Sequence, residues 1–592
     1  MKNWQIFLVI LLLAFILFGN GIVGDFVYDD QWVVVLNPTI NRASSIPSQF
    51  VLPYHYNQPE TGLYRPLTVV SFAINALVSA KPWGFHAVNI ILHALVAYFL
   101  FVLVLRLFKN RTAALWSAAL FLVLPIHAEG VTSIIGRADE LAALFSILTL
   151  LALVDGKAWL SALWFGLAIF SKESVFGVLP VAVFVILFLK GHTWRKTIRP
   201  VLYFAIPIAL YFVLRYIALD GHLLSTDASY IYNPLKYVSW WPRLLTVLSV
   251  TAQYVWKTFV PIHLSADYSF NQIPILYSIA NFGVVAGAIL LAGLATLSFW
   301  RKTRSSMIGF GAFLFLCTYF IASNLVLPVG TIMAERLMYV PSLGLCIIIG
   351  YLISKLLVTR GPALPASLGG RTAALVACIL IFIVYGWRTI DRNRVWYDRL
   401  SLYSDMTKES PASVHGWANL GIYYIQNNEW QKGEQTLLRA QSIAPDHLPL
   451  LDSLGIVAEH AGNLDLAETY YRKALAVRPY YATAVSNLTR MYYQNNQFEQ
   501  SAQLALDAFN HQHNEQLMTV YSMSLIRLKR YDEALQTIVA NYGDQPDDVN
   551  LVFAVGVIYW KKGDNARAQP YLDAAKNPTI SEEEYMKIVN GL

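Results

Sequence analysis

Two stretches decide the architecture: residues 372–387, TAALVACILIFIVYGW, and residues 414–445, VHGWANLGIYYIQNNEWQKGEQTLLRAQSIAP. The first carries no charge and reads as a segment buried in lipid. The second sets Leu, Tyr, Ala and Gly at helical spacing among polar residues, the pattern of short amphipathic helices. Apolar runs fill the chain before about residue 390 and polar sequence follows it, so a membrane domain is joined to a water-soluble one.

Composition agrees. Of 592 residues, 56% are hydrophobic and 14% charged, against about 25% charged in soluble domains, which excludes a simple soluble enzyme. The net charge of +7 could suggest nucleic acid, but Lys and Arg sit in short clusters between apolar runs, where they act as topology signals. No nucleic-acid partner is expected. Cys317, Cys346 and Cys378 all lie in apolar segments, which leaves no disulfide framework and no Cys-based zinc site.

The first apolar run, Trp4 to Val23, is long enough to span a bilayer, and the following residues lack a small-x-small cleavage site. Further runs lie near 86–105, 112–127, 139–154, 158–171, 174–190, 200–219, 243–260, 278–299, 307–327, 337–354 and 372–387. Placing Arg106, Lys109, Arg111, Lys157, Lys190, Arg195, Lys196, Arg199, Arg301, Lys302, Arg304, Lys355, Arg360 and Arg371 inside requires an even number of crossings between Arg199 and Arg301. One run must then fail to cross. The expected one is 243–260, which holds Gln253 and Lys257 and ends at Pro261, as a re-entrant or interfacial segment. About eleven crossings, within a range of ten to twelve, put residue 388 onward on the outer face.

That count gathers polar residues on the outer side: Asp29, Asp30 and Arg65; His127, Glu129, Arg137, Asp139 and Glu140; Lys172 and Glu173; Asp267; Glu335 and Arg336. Any one of them could be a loop ion pair or a snorkelling side chain. Together they read as a site, because ionisable groups at membrane depth are costly.

Beyond Val414 the positions Trp417, Leu420, Gly421, Tyr424, Gly433, Leu437, Ala440 and Pro445 fit a tetratricopeptide repeat. A step of 34 gives Leu454, Gly455, Ala467, Tyr471, Ala474 and Pro479, then Leu488, Tyr492, Ser501 and Ala508. A weaker unit carries Ala534 and Ile538, and the last has Gly556, Tyr559, Ala568, Leu572 and Ala575. The expected class is all-α: a polytopic helix bundle over 1–390, a linker over 391–413, about five repeats over 414–580 and a tail over 581–592. Stacked helix pairs form a solenoid whose groove suits a peptide or protein partner.

The chain resembles the transmembrane and tetratricopeptide repeat-containing protein O-mannosyltransferases, within the GT-C class of glycosyltransferases. The matching stretches are Gly24 to Asp30, Tyr64-Arg65-Pro66-Leu67, Phe85-His86 with Asn89 and His93, Pro125 to Glu129, and Gly136 to Asp139. They continue with Ser171-Lys172-Glu173, Leu264 to Ser269, Ser323-Asn324-Leu325, Pro328-Val329-Gly330, Ala334 to Tyr339 and Arg394-Val395-Trp396. The resemblance implies a GT-C fold, transfer of a sugar from a polyprenyl-phosphate donor, and an outward-facing site. It also implies that the essential acid lies at Asp29 and Asp30, and that a beta-linked donor gives an alpha-linked product by inversion.

An acceptor hydroxyl must lose a proton as it attacks an anomeric carbon, and a carboxylate can take it. With the resemblance Asp29 is the expected base and Asp30 positions it, although on sequence alone a two-Asp turn is more often a helix cap or a solvated loop. Arg65, Arg137, Lys172 and Arg336 are candidates for the leaving lipid phosphate. His127, Glu129, Asp139, Glu173, Asp267, Glu335 and His86 are supporting polar residues. No cofactor is required, while a divalent metal at His127 and Glu129 stays open.

The expected partners are the bilayer, the lipid-linked donor and a protein acceptor held by the repeats. The expected location is a bacterial cytoplasmic membrane with periplasmic repeats, or the endoplasmic reticulum with luminal repeats. Three alternatives stand beside the mannosyltransferase. One is a transferase of another lipid-linked sugar to a glycan, lipid or pilin-like acceptor, another a non-catalytic repeat scaffold, and the third a transporter. A transporter fits least, because carriers bind at the midplane.

Overall fold

A computed structural model describes residues 2–191, 193–222, 229–358, 368–543 and 546–575. The described residues are helical, without strands, and form two compact units, Met1–Trp417 and Ala418–Leu592.

The first unit opens with α1 (Asn3–Phe18), then a 24–64 loop of short turns, α2 (Pro66–Val78), α3 (Pro82–Phe108), α4 (Arg111–Val123), α5 (Ala128–Thr132), α6 (Arg137–Val154) and α7 (Ala158–Ser171). Sequence chemistry sets the boundaries. Pro66 and Pro82 occupy first-turn positions, where a missing N–H costs nothing. Lys109 turns left-handed (φ 57°) to end α3, and the Asn110 side chain caps α4 by accepting from Ala113 N at 3.0 Å.

Among the described residues, six helices are long and apolar enough to cross a membrane: Asn3–Val23, Pro82–Phe108, Arg199–Ala218, Phe282–Phe299, Glu335–Leu357 and Arg371–Trp396. The pair Arg111–Val123 and Pro125–Thr132, bent by 53°, would make a seventh. Several expected spans are shorter or broken helices, including Ala158–Ser171, Glu173–Leu189 and Met307–Ala322. Of the expected segment 243–260, all but Val260 falls in one continuous 20-residue helix, Trp240–Phe259, outside those six. The 13-residue helix α2 has no counterpart among the sequence-derived spans, because it is too short to register as one.

Where burial in lipid supplies no force between helices, small residues set how closely they approach. A Cβ on Gly311 would stand 2.5 Å from the Gly344 carbonyl, and one on Gly350 would stand 2.3 Å from the Ser117 hydroxyl. These contacts clamp Met307–Ala322, Tyr339–Val358 and α4 together and hold the helix ends that carry the site.

The repeats form five helix pairs, from Val414–Gln426 with Trp430–Ile443 to Val549–Lys561 with Asn565–Ala574. Their period has a steric cause. Gly421 faces Leu437, Gly455 faces Tyr471 and Gly556 faces Leu572, and a Cβ would come within 2.6, 2.4 and 2.8 Å of the partner. A small residue on one helix therefore admits a large one on its mate. Within the second unit, Arg490 pairs with Glu459 and Arg530 with Glu499, each 31 residues apart, stitching successive repeats. Residues 576–580 of the expected repeat region and the 581–592 tail lie outside the described residues.

Candidate functional site

The acidic pair follows α1 on a turn pinned from both sides. Asp25 N donates to the Tyr397 carbonyl at 2.8 Å, and Tyr28 takes a left-handed conformation (φ 54°), which costs a non-glycine residue some strain. The Tyr28 hydroxyl meets His415 Nε2 at 2.9 Å. This turn sends the two carboxylates in different directions.

Asp30 points inward and is fully buried, accepting from Val27 N at 3.0 Å and Ile135 N at 3.1 Å. Burial raises its carboxyl to about 7, opposed by those two backbone donors and by Arg137, and reinforced by Asp29. Asp29 is half-buried and its carboxylate takes no side-chain partner among the described residues. It lies within electrostatic range of Tyr54, His55, Arg336 and His415.

Three cations occupy this region, each already holding an anion, and Arg336 is within electrostatic range of Asp29. Arg65, just before α2, donates to both Glu173 oxygens, at 3.0 and 2.6 Å. Lys172 donates to both Asp139 oxygens, at 2.7 and 2.6 Å, and both side chains are 4% exposed. Arg336 pairs through its guanidinium with Glu129, whose other oxygen accepts from Arg336 N at 2.9 Å. Lys172 senses both Arg65 and Arg336, so these cations share one electrostatic neighbourhood although they come from segments more than 100 residues apart.

Arg137 is not part of that neighbourhood's open face. It is fully buried and donates to Asn89 Oδ1 (2.8 Å), Asn75 Oδ1 (3.0 Å) and the Ser71 and Phe85 carbonyls (3.3 and 2.9 Å). Its guanidinium also lies over the Phe72 and Phe85 rings, at 4.7 and 5.5 Å. It ties α2, α3 and α6 together, and a phosphate contact would have to break that knot. Glu140, one turn along α6, is buried with neither oxygen hydrogen-bonded.

The remaining candidates support loops. Glu335 accepts from Ser265 N (2.6 Å) and the Tyr268 hydroxyl (2.7 Å), with Arg392 at 3.9 Å. Asp267 accepts from Ser269 N and Oγ and from Ser413. His127 is spent inside the bundle, with Nδ1 on the Phe121 carbonyl and Nε2 on Ser342 Oγ, both at 2.9 Å. His86 sits beside Gly24, where a Cβ would stand 3.3 Å from its Nε2. Both His127 nitrogens and the Glu129 carboxylate are taken, so these two residues do not fit a metal. No group of three or more His, Cys, Asp and Glu side chains that could hold one occurs among the described residues.

Sequence reasoning missed Tyr54, His55 and His415. Tyr54 and His55 belong to the run Tyr54-His55-Tyr56, whose only signal is aromatic density in a loop; His415 was hidden inside the first repeat. Tyr28, Ser133, Ile135, Ala266, Arg336, Trp396, Leu402 and Met406 line a small cleft in this region.

Residues 70–217 match the family model described as dolichyl-phosphate-mannose-protein mannosyltransferase. Human Protein O-mannosyl-transferase TMTC1 is 28% identical, with 74% of this chain and 55% of that protein covered. The mouse TMTC3 protein is 25% identical (78% and 54%), and the Caenorhabditis elegans Protein O-mannosyl-transferase F38B6.6 is 26% identical (74% and 63%). The chain spans about half the length of the curated relatives it matches first. Among solved structures it is similar to YrrB, a TPR protein (16% identity, 32% of this chain and 96% of that one, TM-score 0.26). It is also similar to the Cut9-Hcn1 hetero-tetramer structure (14%, 83% and 98%, TM-score 0.28).

Proposed function

The chain resembles the protein O-mannosyl-transferases of the TMTC group over about three quarters of its length, and from that premise we propose that it is a membrane mannosyltransferase. It moves mannose from a polyprenyl-phosphate carrier to a hydroxyl of a protein acceptor. The observation that carries this reading is the Asp29 carboxylate, without a side-chain partner among the described residues, within electrostatic range of Arg336, which shares its neighbourhood with Lys172 and Arg65.

In this reading the acceptor oxygen attacks the anomeric carbon and its proton passes to Asp29. The bond from that carbon to the phosphate oxygen breaks, and the lipid phosphate leaves with the electron pair. Preorganised cations stabilise the charge that develops there. Arg336 is the most accessible of the three, lining the cleft with a side chain 26% exposed, and is the first phosphate contact. Arg65 and Lys172 set the local potential from within their carboxylate pairs. Asp30 fixes the turn through Val27 and Ile135, so that Asp29 is presented rather than free to swing.

The repeats hold the acceptor, since stacked helix pairs offer an extended groove. The distribution of Lys and Arg supports an outward-facing site and repeats, in a bacterial cytoplasmic membrane or its endoplasmic-reticulum equivalent.

The test is transfer from polyprenyl-phosphate mannose by the purified full-length protein. Asp29→Asn should lower kcat by about 10²–10⁴-fold, the usual contribution of a general base. Full activity in that variant excludes Asp29 as the base.

A further inference from the structure

The Tyr54 hydroxyl and His55 Nδ1 are buried polar atoms without a hydrogen-bond partner among the described residues. Tyr54 is anchored: it belongs to a buried apolar cluster with Val33, Val34, Ile40, Val69 and Phe72, and its backbone N–H donates to the Leu63 carbonyl at 2.9 Å. Tyr54 is 3% exposed, yet its hydroxyl has no partner, and neither does His55 Nδ1. The two rings lie 5.3 Å apart, and the Arg65 guanidinium sits over the Tyr54 ring at 5.1 Å. Both residues are within electrostatic range of Asp29 and Arg65.

A buried hydroxyl or imidazole nitrogen left unpaired costs about 1–3 kcal/mol. Two such atoms on neighbouring rings bear that cost unless a ligand completes them. They lie within electrostatic range of Asp29, the base of the transferase reading, and of Arg65, one of its three cations, so they border the space that reading gives to the transferred sugar.

Their chemistry selects the ligand class. Arg65, Lys172 and Arg336 already supply donors for a phosphate, which only accepts. A phenol and an imidazole nitrogen can each donate or accept, and so match sugar hydroxyls, which do both. Burial lowers the His55 pKa from its ordinary value, favouring the neutral ring such a contact needs.

We propose that Tyr54 and His55 form a hydroxyl-binding subsite for the transferred sugar, beside Arg65 and in the neighbourhood of Asp29. The subsite rests on the transferase reading. Both atoms are closed off in the donor-free chain, so sugar entry lifts the 55–63 segment, whose Asn57 and Gly62 take left-handed backbone (φ 56° and 65°).

Two measurements on the full-length protein in lipid nanodiscs separate the subsite from the base. Binding is compared for polyprenyl-phosphate mannose and for polyprenyl phosphate without sugar. Tyr54→Phe and His55→Ala should each weaken binding of the mannosyl lipid about tenfold and leave the bare lipid phosphate within twofold, which also shows that the variants are folded. Transfer kinetics with monodeoxy-mannosyl donors form the second measurement. One missing hydroxyl should cost the wild-type protein about tenfold in kcat/KM and cost Tyr54→Phe almost nothing.

If both variants bind the mannosyl lipid like the wild type, or lose both lipids equally, the subsite is wrong even if Asp29→Asn abolishes transfer. If the wild type transfers no mannose yet the sugar-selective binding loss is seen, the transfer reading fails and the subsite stands.

Discussion

Removing the cation from the Lys172–Asp139 pair is the sharpest test of how this site is built. Nζ lies 2.7 and 2.6 Å from the two carboxylate oxygens and both side chains are 4% exposed, so neither charge has water to fall back on. Lys172→Met leaves Asp139 buried and unpaired, which should cost about 3–5 kcal/mol. Replacing both, as Lys172→Met with Asp139→Leu, removes the desolvated charge along with its partner and should return most of that loss. The assay is thermal unfolding of the detergent-solubilised protein for the two single variants and the double, followed by mannosyl transfer. Expected is a large coupling between the two sites, with the double variant near wild-type stability but at least tenfold less active, because it lacks the Lys172 ammonium that the transferase reading counts among the cations around the donor phosphate. A stable Lys172→Met protein would refute the buried pair. A stable and fully active double variant would show that Lys172 serves structure alone.

Asp30 should make stability fall as pH rises. Its folded carboxyl titrates near 7 rather than the ordinary 3.8, so the folded state keeps a proton that the unfolded chain releases between about pH 4 and 7. Stability is then greatest below pH 4 and lost through that window, by about 4 kcal/mol at 1.36 kcal/mol per unit; melting curves at pH 5 and 8 should converge in Asp30→Asn. Arg137→Lys keeps the charge but cannot span Asn89, Asn75 and two carbonyls; a loss of about 2–4 kcal/mol in thermal unfolding is expected, and unchanged stability would reopen Arg137 as a phosphate ligand. Tyr28→Phe, which cuts the contact to His415 before Asp29, should lower kcat severalfold with KM unchanged, and His415→Ala should add nothing to it. Gly455→Val, which drives a side chain into the Tyr471 ring, should destabilise the repeat unit by about 2–3 kcal/mol in circular dichroism melts.

Legibility followed the range of the forces involved. The helical repeats were readable because each small–large pair recurs locally, Gly421 with Leu437 and Gly455 with Tyr471, at a fixed separation that the chain shows without folding. Most apolar helices were readable because lipid demands length and apolarity. Helix α2 was not, since 13 residues embedded in a loop look like neither a span nor a repeat. Among the site residues, charge was visible but direction was not. Arg137 and Arg336 look alike in sequence; one is knotted among α2, α3 and α6 while the other lines the cleft. His127 and Glu129, two residues apart, suggested a common ligand, yet the bend after α4 sends one into the bundle and the other to Arg336. Tyr54 and His55 carry no motif, and only their unpaired buried atoms distinguish them.

By itself the sequence determined the all-helical membrane unit, the repeat array and the supply of acidic and basic residues, because periodicity, hydropathy and composition are properties of neighbours along the chain. Tertiary structure alone decided that Asp29 stays unengaged while Asp30 is locked to Val27 and Ile135. It also decided which carboxylate neutralises each of Arg65, Lys172 and Arg336. Those pairings join residues from 33 to 207 positions apart. Electrostatic energy depends on the distance and burial that packing creates, and sequence separation carries neither.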